Sequence, residues 1–323
     1  MTGGTSRSLS VFAPDGAPEI RKGDDLTSLV LGLLDLRDGD ILAVTSKAVA
    51  KAEGRVRTGS RTADLEAGET LRVVARRGRT TIVRHRLGIT LAAAGIDASN
   101  VAAGHVVLLP LDPDGSARHL REEVLRRTGA NVAVLVTDTL GRAWRHGQTD
   151  LAIGAAGLPV LESYAGRTDR HGNTLEVTAP AVADELAGAA ALVQGKLLGR
   201  PFALVRGRPD LVLAPGHHGP GAGSLVREEE ADLFGFGARE AVVRALAGEP
   251  GDRTGFGEAA TTTELAAACR EVLGAEAVEE HEESGHLRVH GPATAVGALA
   301  FAHGWTIGGS ESAAVHVVRP DTT

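Results

Sequence analysis

The sequence predicts an α/β protein with mixed sheets and a small α/β appendage at its carboxyl end. Three observations lead there. Short apolar runs recur along the chain and close on turn-forming or polar residues. Amphipathic stretches of helical period lie between them. The texture then changes to glycine at Gly248-Glu-Pro-Gly-Asp-Arg-Thr-Gly-Phe-Gly257.

Asp40-Ile-Leu-Ala-Val-Thr-Ser-Lys47 reads as a buried strand running into a hydroxyl-rich turn, with Lys51 soon after. Val106 to Leu109 is a second strand, leading into the turn Leu109-Pro-Leu-Asp-Pro-Asp-Gly-Ser116. Residues 118–128 space Leu120, Val124 and Leu125 as a helix that Gly129 stops. Val132 to Val136 is a third strand, finishing before Asp138. Residues 180–198 predict the longest helix, with Pro180 at its start and Val182, Leu186, Ala189, Ala190 and Val193 along one face. Phe202–Val205 and Leu211–Leu213 read as short strands, and Glu228–Ala247 as a charged amphipathic stretch interrupted by Gly235 and Gly237. Helix Thr263–Leu273, strand Leu287–His290, helix Ala293–His303 and strand Ala314–Val318 follow. The expected organisation is a large domain over residues 1–248, a Gly-rich linker over 249–258 and an appendage of unassigned role over 259–323.

Composition narrows the class. A hydrophobic fraction of 43% with 23% charged residues is that of a soluble globular protein. A net charge of -7 argues against a general nucleic-acid binder. The single cysteine, Cys269, excludes an intramolecular disulfide framework and any multi-cysteine zinc or iron–sulfur site, and suits a reducing cytoplasm. The amino terminus lacks the apolar core of a signal peptide, and no run of about 18 apolar residues occurs. The expectation is a cytoplasmic protein with neither a membrane nor a nucleic-acid partner.

The chemistry concentrates in Val136-Thr-Asp-Thr-Leu-Gly-Arg-Ala-Trp-Arg-His-Gly147. A strand carrying Asp138, Thr139, Arg142 and Arg145 past its carboxyl end is how open α/β sheets build anion and metal sites. The plainer reading is a surface turn with solvated arginines. Asp97, in Ala94-Gly-Ile-Asp-Ala-Ser-Asn100, and Asp112 and Asp114 add hard oxygen donors in loop-like context, suited to Mg²⁺ or Mn²⁺ rather than zinc. Asp-Pro-Asp-Gly alone is an ordinary turn signature. Five histidines fall in the appendage (His281, His286, His290, His303 and His316); His286 and His290, four apart in a strand, stand roughly 13 Å apart and read as solvated. No Walker A loop, dinucleotide fingerprint, Gly-x-Ser-x-Gly elbow or His-Glu-x-x-His occurs. Metal-assisted phosphoryl or acyl chemistry gains by that exclusion.

Lys47-Ala-Val-Ala-Lys-Ala-Glu-Gly54, the Asp97 and Asp112 segments and Val136-Thr-Asp-Thr-Leu-Gly-Arg142 together resemble the coenzyme F420-0:L-glutamate ligases, also called F420:γ-glutamyl ligases. So do Leu175-Glu-Val-Thr, Val193-Gln-Gly-Lys196 and Ala203-Leu-Val-Arg-Gly207, in order from about Val11 to about Ala247. The resemblance implies that residues 1–248 adopt an F420 ligase-like fold as an intertwined homodimer. It implies joining of L-glutamate to the F420 precursor with GTP, through an acyl phosphate, with Mn²⁺ or Mg²⁺ and K⁺ as a further cation.

Carried over by motif, Asp97, Asp138 and Thr139 are the expected metal ligands. Ser46, Lys47 and Lys51 would contact the nucleotide's phosphates, and Asn100 with the segment Gln194-Gly-Lys-Leu-Leu-Gly-Arg-Pro201 the nucleotide, Gln194, Gly195, Lys196 and Gly199 foremost. The loop holding Pro14, Asp15 and Gly16 would line the same pocket. Arg142 and Arg145 are candidates for the acidic coenzyme or the glutamate carboxylates, and with Asp97 and Asp138 make the expected catalytic set. Lys196 departs from the family pattern, which often has Glu or Gln there, because an ammonium cannot ligate a cation. The ~70 residues after the linker are too few for a flavin-binding nitroreductase-like domain, so FMN is not expected. Two readings stand beside this one: the same fold acting on another acid or amino acid, and a non-catalytic nucleotide- or deazaflavin-binding protein.

Overall fold

The computed structural model describes residues 8–59, 67–78, 80–228, 232, 234–280, 286–311 and 314–318. Its strands are β1 (Ser10–Phe12), β2 (Ile41–Thr45), β3 (Val56–Thr58), β4 (Thr70–Arg77), β5 (Thr80–His85), β6 (Thr90–Ala92) and β7 (His105–Val107). They continue with β8 (Ala133–Arg142), β9 (Arg145–Ala156), β10 (Phe202–Arg206), β11 (Val278–Glu280), β12 (His286–His290), β13 (Thr306–Glu311) and β14 (Ala314–Val318). The helices are α1 (Leu26–Leu33), α2 (Ser46–Ala52), α3 (Pro113–Thr128), α4 (Val182–Gln194), α5 (Ala238–Ala247), α6 (Thr262–Leu273) and α7 (Ala293–Ala302). None is long and apolar enough to cross a membrane among the described residues.

A five-stranded sheet in the order β1-β10-β2-β8-β9 forms the frame of the first unit, residues 1–73 and 80–226. Only β2 and β8 run parallel, with Thr45 level with Thr137; the other pairings are antiparallel. Alternate residues feed two cores. Leu42, Val44, Val134, Val136, Phe202 and Leu204 pack with Leu26 and Val30 of α1, Val49 of α2 and Leu120 and Val124 of α3. Ile41, Ala43, Ala133, Leu135, Ala203 and Val205 pack with Val182, Leu186 and Ala190 of α4 on the opposite face. Helices on both faces explain why the strands read as continuous apolar runs rather than as alternation.

Several boundaries move from their expected places. Helix α3 starts at Pro113 rather than 118, because Asp112 caps it: its Oδ1 accepts from Gly115 N at 2.9 Å. The Asp-Pro-Asp-Gly segment is therefore a helix start and not a loop of metal-binding acids. Asp114 is likewise structural. Its Oδ1 accepts from Ala155 N and Ala222 N, each at 2.7 Å, and its Oδ2 from Gly223 N at 3.1 Å. Strand β8 does not stop at Val136; it runs to Arg142 as one arm of a long hairpin with β9, bulged between Val136 and Thr137. Leu211 belongs to a 3-10 turn, Pro209–Leu211, rather than to a strand.

The second unit comprises residues 74–79 and 227–323. It holds an antiparallel sheet, β11-β12-β14-β13, and helices α5, α6 and α7. Its core joins Leu265, Ala266 and Cys269 of α6 and Val296 and Ala300 of α7 to Leu287, Val289, Val315, Val317 and Trp305. Trp305 Nε1 donates to Ala260 O at 2.8 Å. Within the stretch expected as a linker, Pro250–Phe256 forms a 3-10 helix. The Phe256 ring lies tilted 5.2 Å from that of Phe236 and edge-to-face 5.9 Å from that of Phe301, which ties the segment and α5 to this unit. His290 Nε2 lies 2.9 Å from Glu279 Oε1, a hydrogen-bond distance; His281 lies outside the described residues.

Candidate active site

A cavity of about 700 Å³ opens where the carboxyl ends of the parallel pair β2 and β8 meet the amino end of β10 and the carboxyl end of α4. The side chains delivered there follow from backbone register. Strand β2 ends at Thr45, whose N–H donates to Pro201 O at 2.9 Å, and α2 begins at once with Ser46. That turn brings Ser46, Lys47 and Lys51 to the wall. Beside it, β8 contributes Thr137, Asp138 and Thr139, and β9 adds Asp150 because its register sets Asp150 opposite Thr139.

The polar groups of the floor are connected. Ser46 Oγ donates to Asp138 Oδ1 at 2.7 Å, across the parallel pair. Thr139 Oγ1 donates to Asp150 Oδ1 at 2.7 Å and accepts from Lys196 Nζ at 3.2 Å. Asp138 is half-buried, and loss of hydration pushes its carboxyl up to about 6; the Ser46 hydroxyl and Lys47 oppose the shift, while the negative charge of Asp150 adds to it. Thus two carboxylates and two hydroxyls converge at the strand ends.

Four cations line the same cavity, each engaged by an acid directly or through a hydroxyl. Lys47 pairs with Asp97 and donates to Ser99 Oγ at 2.5 Å. Lys51 pairs with Glu19 at 2.6 Å, and Arg200 grips Asp15 in a fork at 2.7 and 3.0 Å. Lys196 reaches Asp150 through Thr139. Asp97 is itself held by Ser99, whose N–H and Oγ donate at 2.7 and 2.8 Å. Burial would raise its carboxyl, but Lys47 and the Ser99 N–H outweigh that and hold it below the usual range.

Two wall groups have their hydrogen-bonding capacity unused. Gln194 is 4% exposed and neither its Nε2 nor its Oε1 has a partner; buried Thr137 Oγ1 also has none. Leaving such groups unpaired costs roughly 1–3 kcal/mol each, which marks the wall as built for a polar ligand.

Of the residues singled out from sequence, Ser46, Lys47, Lys51, Asp138 and Thr139 line the cavity. So do Asn100, Gln194, Gly195, Lys196 and Gly199. Gly195 ends α4 at φ +61° and Gly199 sits at φ +64°, so the turn between them needs residues without a side-chain penalty. Pro14, Asp15, Gly16 and Asp97, expected at the pocket, are not among its lining residues; Asp15 and Asp97 reach it only through their ion pairs with Arg200 and Lys47. Arg142 and Arg145 face each other across the exposed hairpin tip, away from the lining. Arg200 and Pro201, which close the segment expected to contact the nucleotide, line the cavity too, whereas Thr137, Asp150 and Glu19 were not singled out. For Asp150 the signal lay in the β8–β9 pairing, which sequence spacing does not reveal.

The sequence profile described as F420-0:Gamma-glutamyl ligase matches residues 16–207, a segment that spans the wall from Ser46 to Gly199. The chain belongs to the F420-0:gamma-glutamyl ligase family. It is 39% identical over 221 residues to a Coenzyme F420:L-glutamate ligase of Archaeoglobus fulgidus, covering 62% of this chain and 88% of the relative. A Coenzyme F420:L-glutamate ligase of Methanothermobacter thermautotrophicus is 37% identical over 254 residues, 70% of this chain and 98% of the relative. One from Methanopyrus kandleri is 36% identical over 237 residues, 67% and 93% respectively. In this member of the family, residues 208–323 lie outside the matched segment.

Proposed function

We propose that this ligase joins L-glutamate to the coenzyme F420 precursor, F420-0, using GTP and Mn²⁺ or Mg²⁺, and works as a homodimer. The observation that carries the reading is one cavity presenting hard oxygen donors and four cations together at the strand ends. The names of the relatives supply the substrate pair.

The donor set suits a hard divalent cation. Asp138 and Asp150 offer carboxylates and Thr139 and Ser46 hydroxyls; burial raises the Asp138 carboxyl, and the charge of Asp150 adds to it. Among the described residues no three His, Cys, Asp or Glu side chains group to hold an ion alone. Phosphate oxygens and water would complete the shell, as is usual for Mg²⁺. When bound, the cation supplies charge neutralisation at the transferring phosphoryl group.

The chain's own residues do the rest. Lys47, Lys51, Lys196 and Arg200 hold the polyphosphate, and Gln194 and Asn100 meet polar edges of the nucleotide. The precursor's carboxylate oxygen attacks the γ-phosphorus, and GDP leaves. The amine of glutamate then attacks the acyl carbon; inorganic phosphate departs, the amine loses a proton, and the amide remains. A carboxylate is a poor acyl donor until phosphorylated, and phosphoryl transfer depends on positioning and charge, which this wall provides.

The test is to incubate the purified chain with F420-0, L-glutamate, GTP and Mn²⁺, with and without K⁺, and to follow products by mass spectrometry. A glutamyl-extended product with equimolar GDP is expected. GDP formed without extension would redirect the reading to another amine acceptor, and no nucleotide turnover would end it in favour of a binding protein. Light scattering on the eluted protein checks the dimer.

A further inference from the structure

Each cation of the pocket is engaged by an acid, directly or through a hydroxyl, and the acids come from three segments of the chain. Lys47 is tied to Asp97 in the loop after β6, Lys51 to Glu19 before α1, and Arg200 to Asp15. Lys196 is tied through the Thr139 hydroxyl to Asp150, two hydrogen-bond lengths away. Two of these ammonium groups bear on the acids that a divalent cation would need. Lys47 also acts on Asp138, and Lys196 is the group bonded to Thr139. An ammonium is a donor only, so it cannot share a cation's shell and repels an ion placed at the same oxygens.

We propose that Lys47 and Lys196 are internal counter-ions of the acidic floor, and that the pocket loads by exchange of partners. An arriving polyphosphate takes the ammonium groups, and the divalent cation takes the oxygens they leave. Lys196 is the adjustable member. Its backbone follows Gly195 in the turn after α4, the residue is exposed, and one hydroxyl contact of 3.2 Å fixes it. Lys47 is held twice and only 15% exposed. The inference rests on the GTP-and-metal reading and adds to it an order. Cation affinity stays low until the phosphates draw Lys196 away, and by linkage the cation tightens nucleotide binding in return.

The experiment titrates Mn²⁺ into the full chain without nucleotide, following free Mn²⁺ by its aqueous EPR signal, and repeats it with saturating GDP. Removing one positive charge beside the oxygens that would hold a divalent ion, in a solvated pocket, predicts roughly fivefold tighter Mn²⁺ binding in Lys196→Gln without nucleotide. Lys196→Arg retains the charge and should keep the wild-type affinity. With GDP present the gap between wild type and Lys196→Gln should close, because the phosphates then occupy the ammonium. Equal Mn²⁺ affinity of wild type and Lys196→Gln without nucleotide overturns the proposal, and so does a gap that GDP leaves unchanged. If GDP binds to none of the three proteins, the underlying nucleotide reading fails as well, a result distinct from either of these.

Discussion

Ser46 Oγ and Asp138 Oδ1 meet at 2.7 Å across the two parallel strands of the sheet, and this contact joins the start of α2 to the acidic floor of the pocket. Ser46 is 2% exposed, and its hydroxyl opposes the upward shift that burial imposes on the carboxyl. Ser46→Ala removes the donor and leaves the carboxylate less compensated. The Asp138 carboxyl should then titrate still higher, and the protein should lose about 1–2 kcal/mol at pH 8. Below pH 4 the loss should shrink, since a neutral carboxyl needs the donor less. Infrared titration of the carboxyl stretch and urea melts at the two pH values decide it.

The raised Asp138 carboxyl sets a pH dependence whose sign is fixed. In the unfolded chain it ionises near 3.8, in the folded protein near 6. Between those values the folded state binds more protons, so this group's contribution is full below pH 3.8 and is lost as pH rises through 6. Asp138→Asn should therefore stabilise the cation-free protein at pH 7.5 by on the order of 2 kcal/mol, allowing for residual solvent screening, and flatten its profile over that window. Glutamyl transfer should fall by about two orders of magnitude or more in the same variant. A more stable, inactive protein is the expected pairing; a variant that melts earlier at pH 7.5 would contradict the assigned burial.

Arg121 sits at the seam where α3, the end of the β8 approach and the 213–218 loop meet, and it is 2% exposed. Its guanidinium donates to Val132 O, Leu213 O, Ala214 O and His217 O at 2.7–3.0 Å, and to Asn131 Oδ1 at 3.0 Å. Arg121→Met keeps the volume but takes the guanidinium from all four carbonyls; Leu213 O and Ala214 O keep donors in Asn131 Nδ2 and His217 N–H, each at 3.0 Å, while Val132 O and His217 O lose theirs. We expect a loss of about 3–5 kcal/mol in chemical denaturation. Arg121→Lys should recover little, because one ammonium cannot reproduce the fork.

The central strands were legible because both faces are covered, which leaves unmixed apolar runs such as Ile41–Val44 and Val132–Val136. The wall residues after those runs were legible for the same reason: Ser46, Lys47, Asp138 and Thr139 stand where the apolar pattern breaks. Non-local pairing was not. Asp150 joins the site only through its register opposite Thr139, and the ion pair that ties Arg200 across the chain to Asp15 has no local signal. Asp138 reads as a strand terminus, yet the strand continues past it, because polar residues in a two-stranded arm carry no apolar run. The appendage's elements were legible by period, while the aromatic contacts that bind Phe256 to Phe236 and Phe301 sat inside a glycine-rich stretch that masks them.

Asp114 gives the sharpest separation between an acid that serves the fold and one that serves the pocket. Beside Asp112 in a Gly- and Pro-rich segment, it invited a metal-ligand reading; instead it collects three backbone N–H groups from β9 and the 222–223 turn. Close packing there leaves no slack, since a Cβ added at Gly154 would overlap the Pro113 carbonyl and one at Gly221 would overlap the Asp114 carboxylate. Asp114→Ala should cost about 2–4 kcal/mol through three stranded donors, and Gly154→Ala about 1–3 kcal/mol through overpacking. Neither should change the Mn²⁺ concentration needed for half-maximal turnover at a temperature where both are folded. Asp138→Asn should lose Mn²⁺ binding without losing stability. If Asp114→Ala instead raised the Mn²⁺ requirement with its melting temperature intact, its assignment as a clamp between β9 and that turn would be wrong.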